Sequence, residues 1–190
     1  MPSNLIVGIS GSASNRSYNT ALLRSLGKAL PDNLEFVVAT GLEKLPFYTP
    51  ELDGEHLPQA AQQLRELVGR ADALFIATPE YNYSTTGLLK NAIDWLSRPY
   101  ATHALIQKPI AILGASQGLL GTVRAQLHLR NILHGTDSDV VARPEVYVNQ
   151  AASKFNDALE LTDGPTQLLV GELVNEILAR IGAHKALNVA

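Results

Sequence analysis

The sequence predicts an α/β protein built on a doubly wound parallel sheet. Strand-like and helix-like segments alternate along the chain, five times over, which is the signature of a parallel sheet with crossover helices. The strand segments are continuous apolar runs, as expected for strands covered on both faces. The helical segments carry apolar stripes at three-to-four-residue spacing. Right-handed crossovers then place helices on both sides of one sheet.

Leu5-Ile6-Val7-Gly8-Ile9 reads as the first buried strand. Ser17 to Leu30 follows as a helix. Ala21, Leu22, Leu26, Ala29 and Leu30 share its buried face, and Pro31-Asp32-Asn33 stops it. Leu34 to Ala39 is the second strand. Gly41 to Leu57 is a long loop holding Pro46, Phe47, Tyr48 and Pro50, placed to wall a ligand pocket or meet a neighbouring subunit. Pro58 suits the start of a helix that runs to Arg70, with Ala60, Ala61, Leu64, Leu67 and Val68 on one face. Ala71 to Thr78 is the third strand, and Thr86 to Ser97 a helix that ends before Pro99. Lys108 to Gly114 is the fourth strand, followed by a helix over Gly118 to Leu133. Ser138 to Ala142, extendable through Glu145 to Val148, is the fifth strand, and Thr166 to Ile181 is the closing helix. With no linker, repeat or low-complexity stretch, residues 1–190 read as one domain.

Composition narrows the function. Hydrophobic residues make up 46% of the 190 and charged residues 17%, ordinary for a globular domain with its own core. A net charge of −3 without a block of Lys or Arg gives nucleic-acid binding no electrostatic support. No apolar run approaches the length that spans a membrane. The first strand begins directly after Met1-Pro2-Ser3-Asn4, which leaves no room for a secretory signal and makes the cytoplasm the expected location. The absence of cysteine excludes disulfides and thiolate chemistry. His56, His103, His128, His134 and His184 show no ligand-like spacing, so no metal site is expected.

Loops that follow parallel strands are where such proteins hold ligands. The first is Gly11-Ser12-Ala13-Ser14-Asn15-Arg16-Ser17-Tyr18-Asn19, with three serines and two asparagines in nine residues. It opens a helix, whose N-terminal N–H groups favour an anion. It lacks the third glycine of a dinucleotide fingerprint and the lysine of a Walker loop. Hydroxyls with one arginine suit a terminal phosphate monoester, which nominates Ser12, Ser14, Asn15, Arg16, Ser17 and Asn19. Ser14 or Ser17 acting only as a helix cap is the alternative.

The second loop begins Pro79-Glu80-Tyr81-Asn82. Pro79 fixes the backbone, Glu80 offers an acceptor, Tyr81 a flat face, and Asn82 an amide that both donates and accepts. This set suits a flat ligand with one polar edge, and a flavin ring has that shape. Two alternatives stand beside it: Glu80 caps the next helix, and Tyr81 and Tyr83 anchor the loop. In a third loop, Gly114 to Gly121, Ser116 is placed to reach the ring or its side chain, while Gly118 and Gly121 equally suit a tight turn.

Together these loops resemble the NADPH-dependent FMN reductase family of the flavodoxin-like superfamily, with its quinone, chromate and azo reductase relatives. The closest match is Pro79-Glu80-Tyr81-Asn82, Gly87 and the run Leu89-Lys90-Asn91-Ala92-Ile93-Asp94-Trp95-Leu96-Ser97-Arg98-Pro99. Gly11, Ser12, Ser17 and Asn19 match its first-loop pattern, whereas the family's arginine falls on Ser14 and an arginine stands instead at 16. The resemblance implies a five-stranded flavodoxin-like sheet of order 2-1-3-4-5 and non-covalent FMN. It also implies NADPH or NADH as co-substrate, a small-molecule electron acceptor, and a homodimer or homotetramer. The cofactor would carry the chemistry, so no catalytic residue is nominated. An electron carrier of the flavodoxin kind, or a flavin-free regulatory protein on the same fold, are the alternatives. Weak charge near the loops argues against the carrier.

Overall fold

The structure, a computed structural model, describes residues 4–187. Strands β1 (Asn4–Ser10), β2 (Leu34–Val38), β3 (Ala73–Ala77) and β4 (Pro109–Ala115) are all parallel, in the order β2-β1-β3-β4. Helices α1 (Tyr18–Lys28), α2 (Gln59–Arg70), α3 (Gly87–Leu96), α4 (Val123–His134) and α5 (Gly164–Leu187) cover the sheet. The flavodoxin-like order implied by the sequence is present.

The fifth strand differs from its expectation. It is two short pieces, β5 (Asp139–Val140) and β6 (Val146–Val148), each paired with β4. Pro144 lies between them and has no N–H to give the ladder, so the edge breaks there. α4 starts at Val123 rather than Gly118, because Gly121 turns the chain at φ +62°. α5 runs beyond the expected Ile181 to Leu187.

Side chains alternate across the sheet. Ala73, Phe75 and Ala77 of β3 pack with Ile6, Leu22, Leu26, Leu173 and Ile177, on the face covered by α1 and α5. Leu74 and Ile76 pack with Val7, Ile9, Leu64, Val68, Trp95 and Leu129, on the face covered by α2, α3 and α4. Both faces are therefore dry, which is why the strands read as unbroken apolar runs. Trp95 and Ile93 are core residues at 0% and 2% exposure.

The loops after β1, β3 and β4 meet at one end of the sheet, and three long-range contacts lock them together. Gly11 donates its N–H to Ala77 O at 2.8 Å, and Thr86 Oγ1 donates to Gly11 O at 2.7 Å. Thr86 also caps α3 by accepting from Leu89 N. Asn19, on α1, exchanges two 2.9 Å hydrogen bonds with the backbone of Ala115, at the end of β4.

Candidate flavin site

A cavity of about 520 Å³ opens between these loops, within the usual range for a small-molecule site. It lies at the switch point, where the chain passes from β2 on one side of β1 to β3 on the other. Nine of the eleven nominated residues line it: Ser12, Ser14, Arg16, Ser17, Asn19, Pro79, Glu80, Tyr81 and Ser116.

The serine loop is wound by its own hydroxyls. Ser12 Oγ accepts from Ser14 N at 3.3 Å, Ser14 Oγ from Arg16 N at 3.3 Å, and Ser17 Oγ from Thr20 N at 3.1 Å. Ser17 is thus the N-cap of α1. A hydroxyl that accepts from the backbone still has its own proton to give. Ser12, Ser14, Arg16, Ser17 and the first α1 residues Tyr18 and Asn19 line the same cavity, a donor set suited to a phosphate. Arg16 also ties the loop to the chain beyond β6, through Nη2 to Asp157 O at 3.2 Å.

Some of the nominated residues also serve the fold itself. Asn15 and Asn82 lie outside the cavity lining. Asn15 is exposed on the serine loop. Asn82 shapes the backbone: Tyr81 and Ser84 exchange two 3.0 Å backbone hydrogen bonds across a two-residue turn. Its central residues, Asn82 and Tyr83, have φ of +50° and +64°, a conformation that Asn tolerates well. Asn19 spends its amide on Ala115, 3% exposed, and so builds the floor. Ser116 Oγ donates to Gly121 O, so its proton holds the glycine turn.

Glu80 caps a helix, although α4 rather than the next one. Its carboxylate accepts from Arg124 N at 3.0 Å and Ala125 N at 3.2 Å, and pairs with the Arg124 guanidinium at 2.6 Å. An arginine in a helix's first turn opposes the helix dipole, which gives that position a use for a carboxylate. Glu80 therefore adds no free negative charge to repel a phosphate.

Thr86, Arg124 and the 119–120 pair were missed as site builders. Arg124 gave no signal in a helix read from Gly118, because only the structure starts that helix at Val123 and puts Arg124 in its first turn. Thr86 had none, because its partner Gly11 lies 75 residues away.

Fold and cavity together define an α/β protein of the flavodoxin-like class. The sequence model of the NADPH-dependent FMN reductase family matches residues 5–153, and the chain belongs to that family. It is 41% identical over 165 residues to an NAD(P)H-dependent FMN reductase of Pseudomonas aeruginosa, covering 87% of this chain and 88% of that one. It is 39% identical over 183 residues to a quinone reductase of Escherichia coli K12, covering 93% and 96%. The flavoenzyme FerB, an NAD(P)H:acceptor oxidoreductase from Paracoccus denitrificans, matches with a TM-score of 0.86 at 31% identity, covering 95% of this chain and 98% of that one. This chain is therefore an oxidoreductase with FMN as cofactor and NAD(P)H as co-substrate. Among the described residues, no helix is long and apolar enough to cross a membrane.

Proposed function

We propose that residues 1–190 act as one flavin-binding domain that reduces quinones and similar flat acceptors in the cytoplasm. NAD(P)H and acceptor would take turns at one open face, a ping-pong scheme. The observation that carries this reading is the cavity itself: the serine loop with Arg16, and the apolar and aromatic Tyr81, Leu119 and Leu120, line one space at the switch point. Ser12, Ser14, Ser17, Arg16 and the start of α1 would hold the phosphate. Pro79, Tyr81 and the 118–121 backbone would flank the ring. When bound, FMN supplies the two-electron chemistry, hydride in from nicotinamide and hydride out to the acceptor. The protein's part is to hold, orient and exclude water, which agrees with a cavity where Glu80 is already neutralised by Arg124.

Anaerobic addition of NADPH or NADH to the FMN-loaded protein should bleach the flavin absorbance, and a quinone should restore it. Failure of both nucleotides to bleach it would overturn the reductase reading. Intersecting rather than parallel double-reciprocal lines would overturn the shared face.

We also propose assembly as a homodimer or homotetramer. Phe47 supports it. Trp95 Nε1 and Asn91 Nδ2 donate to Pro46 O at 2.8 and 3.0 Å, and Tyr48 N donates to Asn91 Oδ1 at 2.9 Å. The chain on both sides of Phe47 is thus fixed to α3, while Phe47 itself is 85% exposed. A large apolar ring held out on a rigid loop fits a buried place in an interface. Phe47→Asp should raise the self-association constant for dissociation by at least about tenfold, read by sedimentation velocity across a concentration series. Unaltered assembly would remove Phe47 from the interface.

A further inference from the structure

One residue of the serine loop holds both feet of the loop that begins at Pro79. Gly11 N donates to Ala77 O at 2.8 Å, and Gly11 O accepts from Thr86 Oγ1 at 2.7 Å. Ala77 ends β3 and Thr86 stands just before α3, so residues 78–85 spring from between these two anchors. The feet are also tied to each other. Thr78 Oγ1, fully buried, donates to Pro79 O at 2.8 Å and pairs with Thr85 Oγ1 at 2.9 Å. Further out, the Tyr81–Ser84 backbone pair closes the tip. The contact at Gly11 is packed as well as bonded: a Cβ there would lie 3.3 Å from the Leu89 side chain and from Pro79 Cδ.

Thr86 does more than a helix cap requires. As the α3 N-cap it has only to accept from Leu89 N. Its proton goes to Gly11 O rather than to water, and the residue is 5% exposed. The Gly11 carbonyl shares a peptide plane with Ser12 N–H, which donates to Ser10 Oγ at 3.3 Å. Thr86 and Ser10 thus fix the plane from which the serine loop leaves β1.

Resting on the reading that seats a phosphate in the serine loop and the ring beside Pro79 and Tyr81, we propose that Thr86 is a positioning residue that couples these two ends. An anion in the serine loop tightens the other end for a flat ring, and the ring tightens the serine loop for an anion by the same factor. A shift of the serine loop onto the anion passes through Gly11 and Thr86 to the Pro79 loop, which is closed at neck and tip and follows as one body. Valine has the shape of threonine but neither hydrogen bond, whereas serine has both.

The test uses the full chain stripped of FMN, with inorganic phosphate as the anion and riboflavin, which lacks the phosphate, as the ring. Saturating phosphate should tighten riboflavin binding by wild type at least about fivefold over potassium chloride of equal ionic strength. In Thr86→Val this gain should shrink to under about twofold, while calorimetry still shows phosphate bound. Thr86→Ser should restore the gain. If the valine variant folds poorly, Thr86→Gly takes its place, since glycine is a tolerable N-cap with no hydroxyl to give Gly11, and it should lose the gain as well. A lost cap alone would lower the melting temperature and weaken both ligands with the gain intact, and that result overturns the proposal. So does a wild type that binds phosphate without tightening riboflavin. Phosphate that fails to bind wild type at all sinks the phosphate reading of the serine loop, and the coupling with it.

Discussion

Gly114→Ala is expected to destabilise the fold by about 3 kcal/mol or more, at the upper end of what overpacking costs, and to abolish FMN loading with it. A Cβ at 114 would overlap the Thr78 carbonyl oxygen and Thr122 Oγ1. The first is backbone at the end of β3. The second belongs to a fully buried side chain whose hydroxyl accepts from Gln126 Nε2 at 2.9 Å. Neither neighbour swings aside cheaply. Relief requires β4 to part from β3, and the next residue, Ala115, is the one that Asn19 clasps. A packing fault at 114 thus travels straight to the serine loop. Chemical denaturation and the flavin-to-protein absorbance ratio measure the two effects. A variant as stable as the parent, or one that retains full FMN, would overturn this account.

The second large effect is on cofactor affinity. Ser12→Ala combined with Ser17→Ala should weaken FMN binding by roughly 2–4 kcal/mol, the loss of two hydrogen bonds to a charged group. Both hydroxyls accept from the backbone, Ser12 from Ser14 N and Ser17 from Thr20 N, so both have a proton left to donate. Ser17 is also the α1 N-cap, and its loss adds about 1 kcal/mol of folding cost. Fluorescence titration of the apoprotein with FMN separates affinity from stability when paired with a melt. Riboflavin, which lacks the phosphate, should bind parent and variant alike. Equal FMN affinity in parent and variant would remove the serine loop from the phosphate.

The sequence by itself determined the element order, the parallel sheet and the three loops. Each of these is written locally: strand runs such as Ala73–Ala77 are apolar because both faces are dry, and α1 is marked by its stripe and cap. Nine of the eleven nominated residues gather round the cavity because loops after parallel strands must share one end of the sheet. What only the tertiary structure decided is the task of each polar side chain. Glu80 meets Arg124 across 44 residues, Asn19 meets Ala115 across 96, and Thr86 meets Gly11 across 75. Short polar side chains bond whatever the packing brings within 3 Å, and no periodicity records that. The broken edge at Pro144 and the positive-φ turn at Asn82 have the same origin. The backbone hydrogen bonds available at a given residue are fixed by its neighbours across the sheet or turn.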